Sequence, residues 1–91
     1  MEYTVGQVVY SKSGHDKGDA LLILSVEGEY VYLADGKRRT LEKPKRKKVK
    51  HIQPTNYINY ALQKKLEEKD YVINADIVKV LKEYSEKEGN K

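Results

Sequence analysis

Apolar residues follow two different rhythms along this 91-residue chain, and the rhythm changes at Pro54. Before it, short groups of β-branched, aromatic and leucine side chains are cut by glycine and aspartate, the pattern of strands and turns. Val5 to Tyr10 carries Val5, Val8, Val9 and Tyr10; Asp19 to Val26 holds the run Ala20-Leu21-Leu22-Ile23-Leu24; Tyr30 to Ala34 reads Tyr-Val-Tyr-Leu-Ala. Ser13 to Asp19 forms the first connection, Glu27-Gly28-Glu29 is short enough for a tight hairpin, and Asp35-Gly36 is a further turn pair. Arg39 to Glu42 and Lys48 to Gln53 are expected as two more short strands, with Leu41, Val49 and Ile52 facing inward. Beyond Pro54, the residues Ile58, Ala61, Leu62 and Leu66 recur at helical spacing behind Thr55, a good N-cap residue, so a first helix should run to about Lys69. Tyr71-Val72-Ile73 then crosses to a second helix, with Asn74 as its N-cap, Asp76 favouring its first turn, and Ile77, Val80, Leu81 and Tyr84 as its apolar stripe. Ser85 to Lys91 has no apolar residue and should fray.

Five short strands in about fifty residues cannot stack two good sheets; a small, strongly bent barrel closing on one interior is the economical solution. The expected fold is therefore α+β: a five-strand SH3-like β-barrel over residues 1–54, followed by a two-helix extension over residues 55–91 that packs on it as one folding unit. Side chains alternate along a strand, so Val31 and Leu33 should share one face of the third strand while Tyr30 and Tyr32 share the other. Two short amphipathic helices are not stable alone and must pack on each other, the barrel or a partner.

Composition narrows the picture further. Leu, Ile and Val number 8, 5 and 9 with no Phe, about 24% of the chain, above the roughly 20% below which a charged chain stays unfolded. The longest apolar run has five residues, far short of a membrane span. The start, Met1-Glu2-Tyr3-Thr4, lacks the basic and apolar segments of a signal peptide, and a cytoplasmic location is expected. Absence of cysteine removes disulfides, thiol nucleophiles and thiolate zinc sites.

The net charge of +4 is unevenly spread. The fourteen residues from Lys37 to Lys50 hold Lys37, Arg38, Arg39, Lys43, Lys45, Arg46, Lys47, Lys48 and Lys50 against the single acid Glu42, a local charge of +8, and the remainder of the chain carries −4. From Thr55 onward seven basic residues balance seven acidic ones. Nine cations this close repel one another, and a polyanion relieves that by supplying phosphates and releasing its counterions. Charge alone also fits a solvated loop or a segment for anionic lipid.

The sharpest local feature is the pattern from Gly6 to Gly36, GQVVYSKSGHDKGDALLILSVEGEYVYLADG, with Val8, Lys17 directly before Gly18, and the alternating run Leu22 to Val26. It resembles the KOW motif, a strand, a loop with a glycine just before the next strand, and then alternating apolar residues. A glycine there serves a backbone that turns sharply or takes positive φ, and Gly14 is a second candidate. Residues 5 to about 55, ending in KRKKVKHIQPT, are similar to large-subunit ribosomal proteins with a KOW barrel and a basic return strand, and to small bacterial KOW-domain RNA-binding proteins. Similarity to the latter group extends to Asn74-Ala75-Asp76-Ile77. The resemblance implies an SH3-like barrel and RNA binding, frequently to ribosomal RNA, through the loop Ser13 to Asp19 and the segment Lys37 to Lys50. Asp16 and Asp19 offset Lys12 and Lys17 in the first loop, so the second segment carries more weight. Lysine outnumbers arginine fifteen to three, which favours backbone and shape recognition over strict sequence readout. Arg38, Arg39 and Arg46 are the candidates for base or bidentate phosphate contacts.

Eight tyrosines with no Phe or Trp offer faces that stack and hydroxyls that tolerate water. Tyr10, Tyr30 and Tyr32, on neighbouring strands, are either a stacking platform for unpaired bases or a barrel surface covered by the helices. Tyr57, Tyr60, Tyr71 and Tyr84 are expected to seal the contact between helices and barrel. A cage for a methylated cation is disfavoured by the basic surroundings. His15-Asp16 would need a further ligand or a positioned nucleophile, with Asp19 the sole nearby candidate, and reads as a turn in which Asp caps a backbone amide.

The expected function is noncatalytic RNA binding, with no cofactor, membrane or small-molecule substrate. Lys37, Arg38, Arg39, Lys43, Lys45, Arg46, Lys47, Lys48 and Lys50 are assigned to phosphate, Lys12 and Lys17 flank them, and Tyr30 or Tyr32 is available to stack. The alternative is a protein-interaction module docking onto a ribosomal or transcription protein through its barrel or its neutral helical face.

Overall fold

The computed structural model describes residues 3–89, so Met1, Glu2 and the last two residues of the tail expected to fray lie outside the described residues. Five antiparallel strands, β1 (Gln7–Ser11), β2 (Ala20–Glu27), β3 (Tyr30–Ala34), β4 (Lys45–Lys48) and β5 (Ile52–Ile58), form one sheet in the order β4-β3-β2-β1-β5. Two helices follow, α1 (Tyr60–Glu67) and α2 (Asn74–Gly89), and no helix among the described residues is long and apolar enough to cross a membrane.

The sheet is not closed, which corrects the expected barrel: β4 and β5 are its two edges, joined by a single 3-10 turn at Val49–His51. Both faces nevertheless carry a buried cluster, because alternation divides each strand between two sets of apolar residues. Val9, Leu21, Ile23, Val31, Leu33 and Ile52 fill the concave side, where the bent sheet folds over itself. Val8, Leu22 and Ala34 face the other way and meet Leu62 of α1 and Ile77, Val80 and Tyr84 of α2. Tyr10 joins this second cluster, its hydroxyl 2.9 Å from that of Tyr84, with the Tyr57 ring set edge-on to Tyr84 at 5.4 Å. Burial first, and the Tyr10 hydroxyl second, push the Tyr84 phenol well above its ordinary value. Tyr57 and Tyr84 thus seal the helix–sheet contact as expected, whereas Tyr60 and Tyr71 are exposed.

Five expected boundaries are corrected. Pro54 and Thr55 do not start a helix; they lie in β5, an edge strand, where a missing N–H is tolerated. The Thr55 hydroxyl donates to the Val8 carbonyl and accepts from the Tyr57 amide, while the buried Gln7 amide donates to the Thr55 carbonyl, and together they hold the irregular register between β1 and β5. Asn59 caps α1 instead, accepting from the Leu62 amide at 2.9 Å. At the far end α1 stops short of Lys69, which takes φ 56° and lets the Asp70 amide reach the Lys65 carbonyl and the Lys69 amide the Leu66 carbonyl. Asn74 does not cap α2: the Asp76 carboxylate takes the Ile73 amide, and the Asn74 side chain accepts from the Leu41 amide and donates to Glu42.

The remaining two corrections concern the basic segment. Arg39 to Glu42 is a looped stretch, not a strand, tied to α2 through Asn74 and Leu41. The stretch Lys48 to Gln53 is not one strand but the end of β4, the 3-10 turn and the start of β5. Gly36 opens the loop at φ +83°, with its α-carbon so close to α2 that a β-carbon would stand 2.5 Å from the Asn74 carbonyl oxygen and 2.7 Å from Val78 Cγ2.

Candidate functional site

The strand pairing of β3 with β4 decides which cations reach the surface. Tyr30 stands opposite Lys48, Val31 opposite Lys47, Tyr32 opposite Arg46 and Leu33 opposite Lys45. Residues directly opposite share a face. The run Lys-Arg-Lys-Lys is therefore split: Lys45 and Lys47 lie on the concave side with Val31 and Leu33, and Arg46 and Lys48 lie on the other side with Tyr30 and Tyr32.

Lys47 is buried and its ammonium donates to the Ser11 hydroxyl at 2.9 Å and the Ser13 carbonyl at 2.8 Å. An inward lysine on an edge strand disfavours pairing with another chain, and here it also ties β4 to the loop after β1. Arg39 is held in the same region. Its Nε and Nη2 donate to the two carboxylate oxygens of Asp16 at 3.2 and 3.0 Å, a bidentate pair whose acid is only 2% exposed. Those hydrogen bonds hold the Asp16 carboxyl below its ordinary value despite the opposing pull of burial, with the charges of Arg39, Lys47 and Arg38 adding to the effect. The same contact raises the Arg39 guanidinium further. Asp16 is thus a buried anchor rather than a turn cap, and Arg39 and Lys47 spend their donors inside the protein. His15 is exposed beside it, and among the described residues no three His, Cys, Asp or Glu side chains gather as a metal site.

The other sequence-predicted cations stay outside. Asp35 Oδ1 accepts from the amides of Lys37, Arg38 and Arg39, which fixes the turn and projects Lys37 and Arg38 into solvent. Arg38 reaches Asp19 only at 3.9 Å, with both side chains about half exposed or more. Lys12, Lys17, Lys43, Arg46 and Lys50 are exposed, and Lys45 and Lys48 half-buried. Among the described residues none of these seven forms an ion pair, and the two ion pairs of the basic segment, Arg38–Asp19 and Arg39–Asp16, both use carboxylates of the first loop. Gly18, in the loop ahead of β2, has φ +86° with open space around its α-carbon, so backbone conformation alone selects glycine there.

Tyr30 and Tyr32 continue the face whose Ala34 end is covered by the helices, and both are half-buried. The Arg46 guanidinium carbon lies 3.6 Å above the Tyr30 ring centroid, and the Lys48 ammonium 5.8 Å from it. Tyr10, by contrast, belongs to the covered part. Sequence reasoning missed Lys82 of α2, which borders a shallow recess with Asp35, Lys37, Val78 and Leu81. Its helix turn gave no sign of this, because loop and helix are brought together by tertiary contacts, the packing of Gly36 against Asn74 and Val78 and the hydrogen bonds of Asn74 with Leu41 and Glu42.

No protein-family model matches the chain, and no curated protein matches it.

Proposed function

We propose that this protein is a noncatalytic RNA-binding protein of the KOW type, its bent sheet an SH3-like scaffold for structured RNA such as ribosomal RNA in the cytoplasm. The observation that carries this reading is the pair of cations without ion-pair partners on one aromatic surface, Arg46 and Lys48 beside Tyr30 and Tyr32; Lys37, Lys43 and Lys50 on the turns before and after β4 likewise form no ion pair among the described residues, and Arg38 is held only by a solvent-exposed contact to Asp19 at 3.9 Å. Uncompensated cations gain most from a polyanion, because the phosphates replace repulsion with attraction and release counterions. Arg39 and Lys47 support the surface from beneath and make none of the contacts. Lys12 and Lys17 remain at its margin, and Lys82 extends it onto α2.

The alternative reading, a protein-interaction module for a ribosomal or transcription protein, draws on Tyr71 and Ile73, which are 79% and 42% exposed in the connection between the helices. Reversing the charge of Lys37, Arg38, Lys43 and Lys48 to Glu separates the two. Lys47 is left untouched because a glutamate there would bury a carboxylate against the Ser13 carbonyl. A folded variant whose RNA affinity falls by roughly a hundredfold or more agrees with the first reading; unchanged RNA affinity removes it and leaves the second.

A further inference from the structure

On the β3–β4 face two tyrosines and two cations alternate as a square, Tyr30 against Lys48 and Tyr32 against Arg46. Neighbours along each strand stand about 6.6 Å apart, two residues at the strand rise. Within this square the guanidinium of Arg46 lies over the Tyr30 ring at 3.6 Å, the separation of two π planes in contact. One ring face of Tyr30 is thereby occupied, so the tyrosine itself is not the open platform. The open plane is the outer face of Arg46, an exposed side chain held flat by the ring beneath it. A guanidinium plane stacks on nucleobases as an aromatic ring does, and its edge donors remain available to a phosphate.

We propose that Arg46, backed by Tyr30, is the stacking site for one unpaired base, which makes the preferred ligand RNA with single-stranded or bulged nucleotides rather than a continuous duplex. This rests on the RNA-binding reading above and specifies its ligand. A paired base has both faces covered by its neighbours in the helix and presents no plane to Arg46; an unpaired one does. The charges around the square also orient the strand. Glu27 and Ser25 stand opposite Tyr30 and Tyr32 on the β2 side of the same face, and the cations stand opposite them on the β4 side. Phosphates therefore run along β4, and the base points inward toward β2, where Glu27 accepts hydrogen bonds from exocyclic amino groups.

The test uses the full chain and two probes at one low salt concentration: an unstructured single-stranded RNA 12-mer and a blunt 12-base-pair duplex RNA, each read by fluorescence anisotropy. The variants are Arg46→Lys, which keeps the charge and removes the plane, Tyr30→Leu, which removes the backing, and Lys64→Arg, on the exposed side of α1 away from the square, as a charge-matched control. Wild type should bind the single strand several-fold more tightly than the duplex. Arg46→Lys should lose about tenfold on the single strand, within the range of one base stack, and less than twofold on the duplex. Tyr30→Leu should follow Arg46→Lys, and Lys64→Arg should leave both affinities unchanged. A 2-aminopurine in the single strand should change its emission on binding wild type, as its stacking on neighbouring bases is exchanged for Arg46, and should not do so on binding folded Arg46→Lys. Equal binding of both probes by wild type, or wild-type affinity and emission change in Arg46→Lys, overturns the stacking site while leaving RNA binding intact. Failure of wild type to bind either probe overturns the RNA reading and the stacking site together.

Discussion

Replacing Asp16 by Asn tests the anchor beneath the basic surface. The Asp16 carboxylate is 2% exposed and receives both Nε and Nη2 of Arg39, whose side chain keeps 28% of its exposure. Asn offers one acceptor where two are used, turns its amide donor toward the guanidinium, and leaves Arg39, Lys47 and Arg38 without their common counter-charge. Breaking a fully buried pair costs about 3 to 5 kcal/mol. Arg39 recovers some hydration through its exposed part, which brings the expected loss to about 2 to 3 kcal/mol, a large share of the roughly 5 to 14 kcal/mol expected for a chain of this length. In urea, with a slope near 1 to 1.5 kcal/mol per molar, the midpoint should drop by about 2 M. The pH dependence follows from the direction of the shift. Because the folded carboxyl titrates below its unfolded value of about 3.9, its contribution is complete above that pH and is lost as pH falls through the lower, folded value. The wild-type advantage over the variant should therefore be constant from pH 7 to about pH 5 and shrink below about pH 4. A difference under about 0.5 kcal/mol at pH 7, or one as large at pH 2.5 as at pH 7, would refute the reasoning.

Lys47→Met should change stability by only about 1 kcal/mol, because the Ser11 hydroxyl already donates to the Ser13 carbonyl, and should leave RNA affinity within about twofold; Lys48→Met, the same loss of charge on the outer face, should weaken RNA binding and flatten its salt slope by about 0.7 to 0.9. Gly36→Ala should cost more than about 3 kcal/mol, since positive φ is joined by a backbone clash with Asn74, whereas Gly18→Ala, at similar φ with open space, should cost about 1 to 2 kcal/mol by urea melts. Lys69→Gly should stabilise the chain by about 1 kcal/mol, because a side chain at φ 56° closes α1 where glycine carries no penalty; an unchanged or lowered urea midpoint would contradict it.

The strand period and the helix period were both readable in the chain, and they located the core. Val31 and Leu33 are fully buried, as their alternation with Tyr30 and Tyr32 requires, and Ile77, Val80 and Tyr84 form the buried stripe of α2. What failed were features whose meaning depends on distant partners. Pro54-Thr55 looks like a helix start locally, yet the Thr55 hydroxyl finds the Val8 carbonyl across the sheet, and proline costs an edge strand little. Asn74 is a good cap by type, but Leu41 and Glu42, more than thirty residues earlier, claim its side chain. Closure of the barrel was inferred from strand number, whereas the short β4 gives way to a 3-10 turn before it can pair with β5.

The same limit applies to the candidate site. A charge count treats nine cations as equivalent, but a strand period of two sends Lys45 and Lys47 to the concave side and Arg46 and Lys48 to the surface, and the partner of Arg39 is an aspartate twenty-three residues away. Alternation alone could have suggested the split within Lys45–Lys48 once that segment was placed in a strand. No local signal reveals the Asp16–Arg39 pair or the approach of Lys82 to Lys37.

The central claim is that exposed, uncompensated cations bind RNA through its phosphates, and the most direct measurement is the dependence of RNA affinity on salt. With about five cations neutralising phosphates, the logarithm of the association constant should fall against the logarithm of salt concentration with a slope near −3.5 to −4.5. A slope shallower than about −1, or no binding at low salt, would contradict the account.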